Sequence, residues 1–239
     1  MTSARRTAVA AGVLFLITEV SAIAGLALYQ PVLSDPGYVG GAGADGRVLL
    51  GALCELVLIA AIIGTAVTLY PVIRRQNEGL ALGHVAGRIL EAAIITVGIV
   101  SVLSLVTLRQ DGAAAGADEG ALVAVGQALV AIHDWTFLLG PSVVLGMNTL
   151  LLAYLVYRSD LAPRPIAVLG LVGGPLVTAS AIAVLFGLYG PAAHAISALP
   201  VFAWEVSFAV YLIVKGFKSI PVADRTIASG DLHPEPSMA

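Results

Sequence analysis

The chain has 239 residues, 59% of them hydrophobic and only 11% charged, with a mean hydropathy of +0.96. Soluble domains carry roughly 45–50% apolar and about 25% charged residues, so a soluble domain, a disordered chain and a collagen are excluded. Twelve Lys/Arg against fifteen Asp/Glu give a net charge of -3, which offers no basic field to a nucleic acid; a lone Cys54 makes neither an internal disulfide nor a cysteine-rich metal site.

One crossing of a hydrocarbon core of ~30 Å takes about 20 mainly apolar residues, and six stretches qualify. The first runs from Thr7 to about Tyr29, before Pro31. The second runs from Val48 to Ile73 and stops at Arg74-Arg75-Gln76-Asn77. The third occupies Leu82 to Leu108, the fourth Asp134 to Tyr157, the fifth Pro165 to Tyr189 and the sixth Leu199 to Val214. The expected fold is therefore all-α, a single six-span transmembrane bundle over residues 1–220. Ala121 to Ile132 is apolar as well but too long to share one upright crossing with the fourth span, so a short interfacial helix is expected there. Pro31 to Arg47 reads as a loop rich in Gly, Pro and Asp. Residues 221–239 are polar, with Pro221, Pro234 and Pro236, and read as a disordered cytoplasmic tail.

Lys and Arg are retained on the cytoplasmic side of a membrane. Arg5, Arg6, Arg74, Arg75, Arg158, Arg164, Lys215, Lys218 and Arg225 fall on the side of the termini, while only Arg47 and Arg109 fall opposite. Both termini are expected inside. A cleavable secretory signal ending near Ala22-Ile23-Ala24 is the rival for the first span. The apolar stretch runs on past that point, and cleavage would leave an odd number of spans. Glu19-Val20-Ser21 and Glu205-Val206-Ser207 match over three residues, too few to establish an inverted repeat.

A charge near the bilayer centre costs a few kcal/mol even on lenient scales, so such residues face the bundle interior and find partners. Counted along the spans, Glu19 falls at mid-membrane, Glu55 and Glu205 lie ~10 Å below the outer surface, and His133-Asp134 stands at the outer mouth of the fourth span. These five residues form the candidate intramembrane polar site. In the inner half of the third span, His84, Arg88 and Glu91 follow an i, i+4, i+7 stripe. Arg88 and Glu91 are three apart and make a candidate buried ion pair, with Asn148 at similar depth. The plainer alternative is that the carboxyls are protonated ties between helices. For three of them in three spans, a shared polar cavity is the preferred reading. His133 reads equally as an interface-level ring, His84 as an edge residue and His194 as a loop residue. Trp135, Trp204 and Tyr189 fit an interfacial aromatic belt. Gly140-Pro141 and Gly173-Gly174-Pro175 read first as close-packing positions and second as kinks.

The set Glu55, Leu69-Tyr70-Pro71-Val72 with Arg74 and Arg75, Glu78, Leu80-Ala81-Leu82-Gly83 and Arg88 to Glu91 resembles a bacterial family of multi-span proteins, domain of unknown function 4386. Leu138-Leu139-Gly140-Pro141, Tyr154 to Arg158, Pro163 with Ala167-Val168-Leu169-Gly170, Gly173-Gly174-Pro175, Glu205 and Val214-Lys215-Gly216-Phe217 carry the same resemblance. It covers nearly the whole chain from the first span to Phe217. It implies a multi-pass protein of the bacterial cytoplasmic (inner) membrane and brings no activity with it.

Three functions stay open. The first is proton- or cation-coupled transport of a small molecule, with Glu19, Glu55 and Glu205 loading and releasing protons. The second is an embedded enzyme using a buried Glu as general acid on a lipid, isoprenoid or quinone. The third is a non-catalytic scaffold or regulator. The lipid bilayer is the expected partner, with an ion or small-molecule ligand and self-association both open and no nucleic acid. Glu55, Glu205, His133 and Asp134 carry donors suited to a divalent metal, but no close-spaced ligand motif supports one, so neither a metal nor another cofactor is expected. No nucleophile elbow, phosphate-binding glycine loop or zinc-protease helix occurs.

Overall fold

The computed structural model describes residues 3–41, 45–115 and 118–218; the expected tail at 221–239 lies outside them. The described residues form helices and connecting turns without a strand. The helices are α1 (Ser3–Leu33), α2 (Asp45–Ile73), α3 (Glu78–Ala115), α4 (Glu119–Leu138), α5 (Leu145–Ser159), α6 (Arg164–Leu185), α7 (Pro191–Ser197) and α8 (Leu199–Val214). A 3-10 turn spans Tyr38–Gly40, and a π-helical segment, Leu139–Val144, joins α4 to α5 without a break. Six helices are long and apolar enough to cross a membrane: Ser3–Leu33, Asp45–Ile73, Glu78–Gly112, Glu119–Ser159, Arg164–Leu185 and Pro191–Val214. The chain is a multi-pass helical membrane protein.

Local chemistry sets the helix ends. The Asn77 side chain accepts from Leu80 N at 2.9 Å and starts α3; Asp118 does the same from Ala121 N at 2.9 Å for α4. Both satisfy donors that a helix leaves unpaired. Asp160, at φ 52°, closes α5, and Pro165 in the first turn of α6 costs no hydrogen bond. Arg5 donates to the Leu212, Ile213 and Val214 carbonyls at 3.1, 2.6 and 3.2 Å, so the start of α1 and the end of α8 share one end of the bundle, here the near end.

The segment from Ala121 to Ile132, expected as a separate interfacial helix, is instead the first half of the fourth membrane helix. The reason is that α3 continues past Leu108 to Ala115 and offers α4 a partner along that length. Ser101 Oγ donates to Leu129 O at 2.6 Å across the pair, and Gly126 lets Val39 and Leu105 close over it. The fifth span also ends earlier than expected, at Leu185, because Gly187 turns the chain at φ +71°.

Around the bundle, α1 packs on α2 and α8, α2 on α3, α3 on α4 and α5, α5 on α6, and α6 on α8. Backbones approach closely at α5 and α6, where a Cβ on Gly174 would sit 2.6 Å from Gly146 O and one on Gly146 equally close to Gly174 O, and at α1 and α8, where a Cβ on Gly12 would sit 2.6 Å from Ala209 O. Small residues at such crossings let backbones touch where lipid supplies no hydrophobic drive. Apolar side chains form two clusters. One, at the near end, contains Phe15, Trp204 and Phe208, the last two stacked at 4.8 Å. The other, toward the far end, gathers Tyr29, Val48, Ile99, Val102 and Leu105. Trp204, expected in an interfacial belt, is fully buried in the first cluster, where its indole lies over Gly170. Between the two clusters the bundle holds its charged residues.

Candidate functional site

The stripe on α3 carries the centre of the site. Arg88 is buried and makes two ion pairs: Nη1 donates to Glu91 Oε2 at 3.1 Å, and Nη2 reaches Glu205 Oε1 on α8 at 2.9 Å. Asn148 Nδ2 on α5 donates to Glu91 Oε2 at 3.2 Å, and the guanidinium lies 5.9 Å from the Phe15 ring centroid. A Cβ on Gly87 would overlap the Asn148 carboxamide, so that glycine lets Asn148 reach the network. The expected Arg88–Glu91 pair is thus one side of a larger cluster tying three helices.

A depth counted from Leu199 separates Glu205 from Arg88. Measured from the near end, Arg88 is ten residues past Glu78, Glu205 nine before Val214 and Asn148 eleven before Ser159, each about 14–16 Å of rise. They meet because α7 supplies the far part of the last span. The Glu205 side chain leans toward the far end and that of Glu19 toward the near end, since side chains tilt to their helix N-termini. Both carboxyls border the same cavity.

Glu19, Glu55, Arg88, Glu91 and Glu205 border one cavity of about 210 Å³. Apart from Thr18 its remaining wall is apolar, and at its mouth Ile23, Leu26 and Phe137 are 59%, 41% and 41% exposed. A mouth framed by such residues at mid-span faces acyl chains. Glu55 is 9% exposed and its Oε2 has no hydrogen-bond partner; neither has the Tyr29 hydroxyl, which is fully buried nearby.

Glu19, Glu55 and Glu205 therefore come together, with His133 against Glu55, while Asp134 does not join them. His133 is buried rather than interfacial; it stands behind Glu55, edge-on to Tyr29 at 5.7 Å and stacked with Phe137 at 6.3 Å. Asp134 is exposed and borders a second, larger fissure of about 670 Å³. Among the described residues no three His, Cys, Asp or Glu side chains converge as a metal site would require. His84, expected at a membrane edge, is fully buried on the Arg88 stripe.

The fissure runs between α1, α4, α6 and α7 and shares Leu26, Phe137 and Pro141 with the carboxylate cavity. On its wall His194 Nε2 lies 3.0 Å from Ser142 Oγ, and Nδ1 lies 2.8 Å from Ser180 Oγ; Tyr189 also bonds Ser180. Sequence reasoning placed His194 in a loop. It is a buried tie between α7, α6 and the π-helical segment, and the only signal for it was Gly190-Pro191, a helix start ahead of a seven-residue helix.

The arrangement defines a multi-pass helical membrane protein with a carboxylate–guanidinium cluster in its interior and a cavity beside it. The model of the family described as domain of unknown function (DUF4386) matches residues 10–216, and the chain belongs to that family. No curated protein and no solved structure matches it.

Proposed function

We propose that this protein is a proton-coupled carrier of a small molecule, bound at the carboxylate-lined cavity in mid-membrane. We place it in a bacterial cytoplasmic membrane with the near end inward, on the nine-to-two distribution of Lys and Arg. The observation that supports the carrier reading is the convergence of glutamates from α1, α2 and α8 on one cavity, whose guanidinium, Arg88, is already held by Glu91 and Glu205. One guanidinium balances one ionised carboxylate. Every further charge in hydrocarbon costs a few kcal/mol, so the other carboxyls are stable there with a proton or with a bound cation. Exchange of one for the other couples cargo to protons.

Infrared spectroscopy of the reconstituted protein tests this without a known cargo. At pH 7 a carbonyl band of protonated carboxyls is expected, weakened in Glu19→Gln and in Glu55→Gln. The groups facing these carboxyls are Glu91, Glu205, Arg88, Tyr29 and His133. A spectrum showing only ionised carboxylates at pH 7 overturns the proposal.

The apolar mouth favours a second reading, an embedded enzyme on a lipid, isoprenoid or quinone with Glu19 or Glu55 as general acid. Chemical change of a co-purifying lipid on incubation, lost in both Gln variants, would select it. If neither proton exchange nor turnover occurs, the cluster is a scaffold that ties helices.

A further inference from the structure

We propose that the cargo is a single-chain amphiphile with an ammonium-type head, which enters sideways from the bilayer. Its head lies among Glu19 and Glu55, and its tail in the mainly apolar fissure between α1, α4, α6 and α7. This rests on the proton-exchange reading and narrows it.

The sign of the head follows from charge. The cavity holds four carboxyls and one guanidinium. Arg88 donates from both Nη atoms to Glu91 and Glu205 and keeps only Nε without a partner, so an anion would meet four carboxyls around a guanidinium already paired with two of them. Glu19 and Glu55 have no basic partner of that kind. Glu55 is buried, its Oε2 unpartnered, and it borders the cavity, as an ammonium acceptor must. Binding proceeds by loss of one O–H proton from Glu55 or Glu19 to water, and the carboxylate left behind is balanced by the arriving head.

The tail follows from shape. At about 210 Å³ the carboxylate cavity is smaller than the ~300–1,000 Å³ usual for ligand pockets, whereas the adjoining fissure measures about 670 Å³. Leu26, Phe137 and Pro141 line both, so a chain leaving the head reaches the fissure past the Phe137 side chain, the apolar wall they share. α1 and the fourth membrane helix share no extensive contact among the described residues, which leaves this side of the bundle parted along the path.

Trp135 borders the fissure and supplies a reporter. The full chain in zwitterionic lipid nanodiscs is titrated with dodecylammonium carrying a nitroxide at mid-chain, and with matched carboxylate-headed and hydroxyl-headed probes. Fluorescence is compared with that of Trp135→Phe to remove the Trp204 signal. The expected result is saturable quenching by the ammonium probe alone, displaced by unlabelled dodecylammonium at least about tenfold better than by methylammonium. In Glu55→Gln the affinity falls about tenfold or more, the size of one charge-assisted hydrogen bond; Ala195→Phe, which fills the fissure away from the carboxyls, weakens binding as well. Equal or only linear quenching by all three heads means ordinary lipid contact and overturns the proposal, as does preference for the carboxylate head. If methylammonium competes as well as dodecylammonium, the tail assignment falls while proton exchange stands. Absence of the infrared band of protonated carboxyls in the protein before any probe is added removes both. The displacement series uses the unaltered chain, so misfolding of a variant leaves the test intact.

Discussion

Replacing Arg88 by Met probes the charge argument most directly. The side chain keeps an unbranched apolar stem, but Glu91 and Glu205 lose the guanidinium 3.1 and 2.9 Å away, and Phe15 loses the cation over its ring. Breaking a buried pair from one side typically costs about 3–5 kcal/mol, because a charge is stranded. The carboxylate that Arg88 had balanced escapes this only by taking a proton. A free Glu titrates near 4.3, and each pH unit above that is worth about 1.36 kcal/mol, so the proton costs about 3.7 kcal/mol at pH 7 and about 1 kcal/mol at pH 5. The folded variant then binds a proton that the unfolded chain lacks, and its stability falls as pH rises through this window. Reversible unfolding in mixed micelles, at pH 5 and pH 7, should show a deficit that grows by about 2–3 kcal/mol between the two. Adding Glu91→Gln and Glu205→Gln to Arg88→Met should abolish that growth. A deficit that does not change with pH, or that the added Gln residues leave untouched, would refute the view that Arg88 neutralises a carboxylate.

Gly174→Ala should destabilise by about 1–3 kcal/mol, since the new methyl meets the Gly146 carbonyl, a backbone atom that cannot rotate away; Gly46→Ala, whose Cβ meets nothing within 4 Å, should be neutral or mildly stabilising in the same thermal assay. Arg5→Ala should cost about 1–2 kcal/mol by uncapping the last carbonyls of α8, and Arg5→Lys should recover only part of it, as an ammonium lacks the guanidinium fork; full recovery would argue against the fork. In the turn beyond α1, burial first and the hydrogen bond to Asp45 second push the Tyr38 phenol up to about 12. Tyrosinate absorbance should therefore place Tyr38 above ordinary tyrosine, and Asp45→Ala should bring it down. Any stability this group contributes is complete below pH 10, where free tyrosine titrates, and is lost as pH climbs toward 12.

Much of this was readable in the residues. The apolar runs specify six crossings because hydrocarbon requires a fixed length of helix, and the same hostility to charge predicts that Glu19, Glu55 and Glu205 gather. What escaped depended on partners. A depth counted from Leu199 hides the reach of Arg88 to Glu205, because α7 extends that span back to Pro191. Ala121 to Ile132 looked interfacial because nothing in its own pattern says that α3 runs on to Ala115. His194 gives no periodic signal in a helix of seven residues, and Trp204 is a core residue only because Gly170 leaves room for its ring.

The wide turn at Leu139–Val144 has a consequence for how this bundle tolerates change. A π-helical turn holds one more residue than an α-turn, and each residue turns the helix by about 100°. His133 and Asn148, on either side of it, both reach the interior with that surplus residue in place. Deleting that surplus residue would let the segment close as ordinary α-helix, and because the wide turn advances each residue by less than about 100°, α4 and α5 would keep nearly the same faces inward. Closing the wide turn to α-geometry without removing a residue is what would swing Asn148 from Glu91 and Gly146 from Gly174. In this segment, the width of one turn fixes which way half a helix looks.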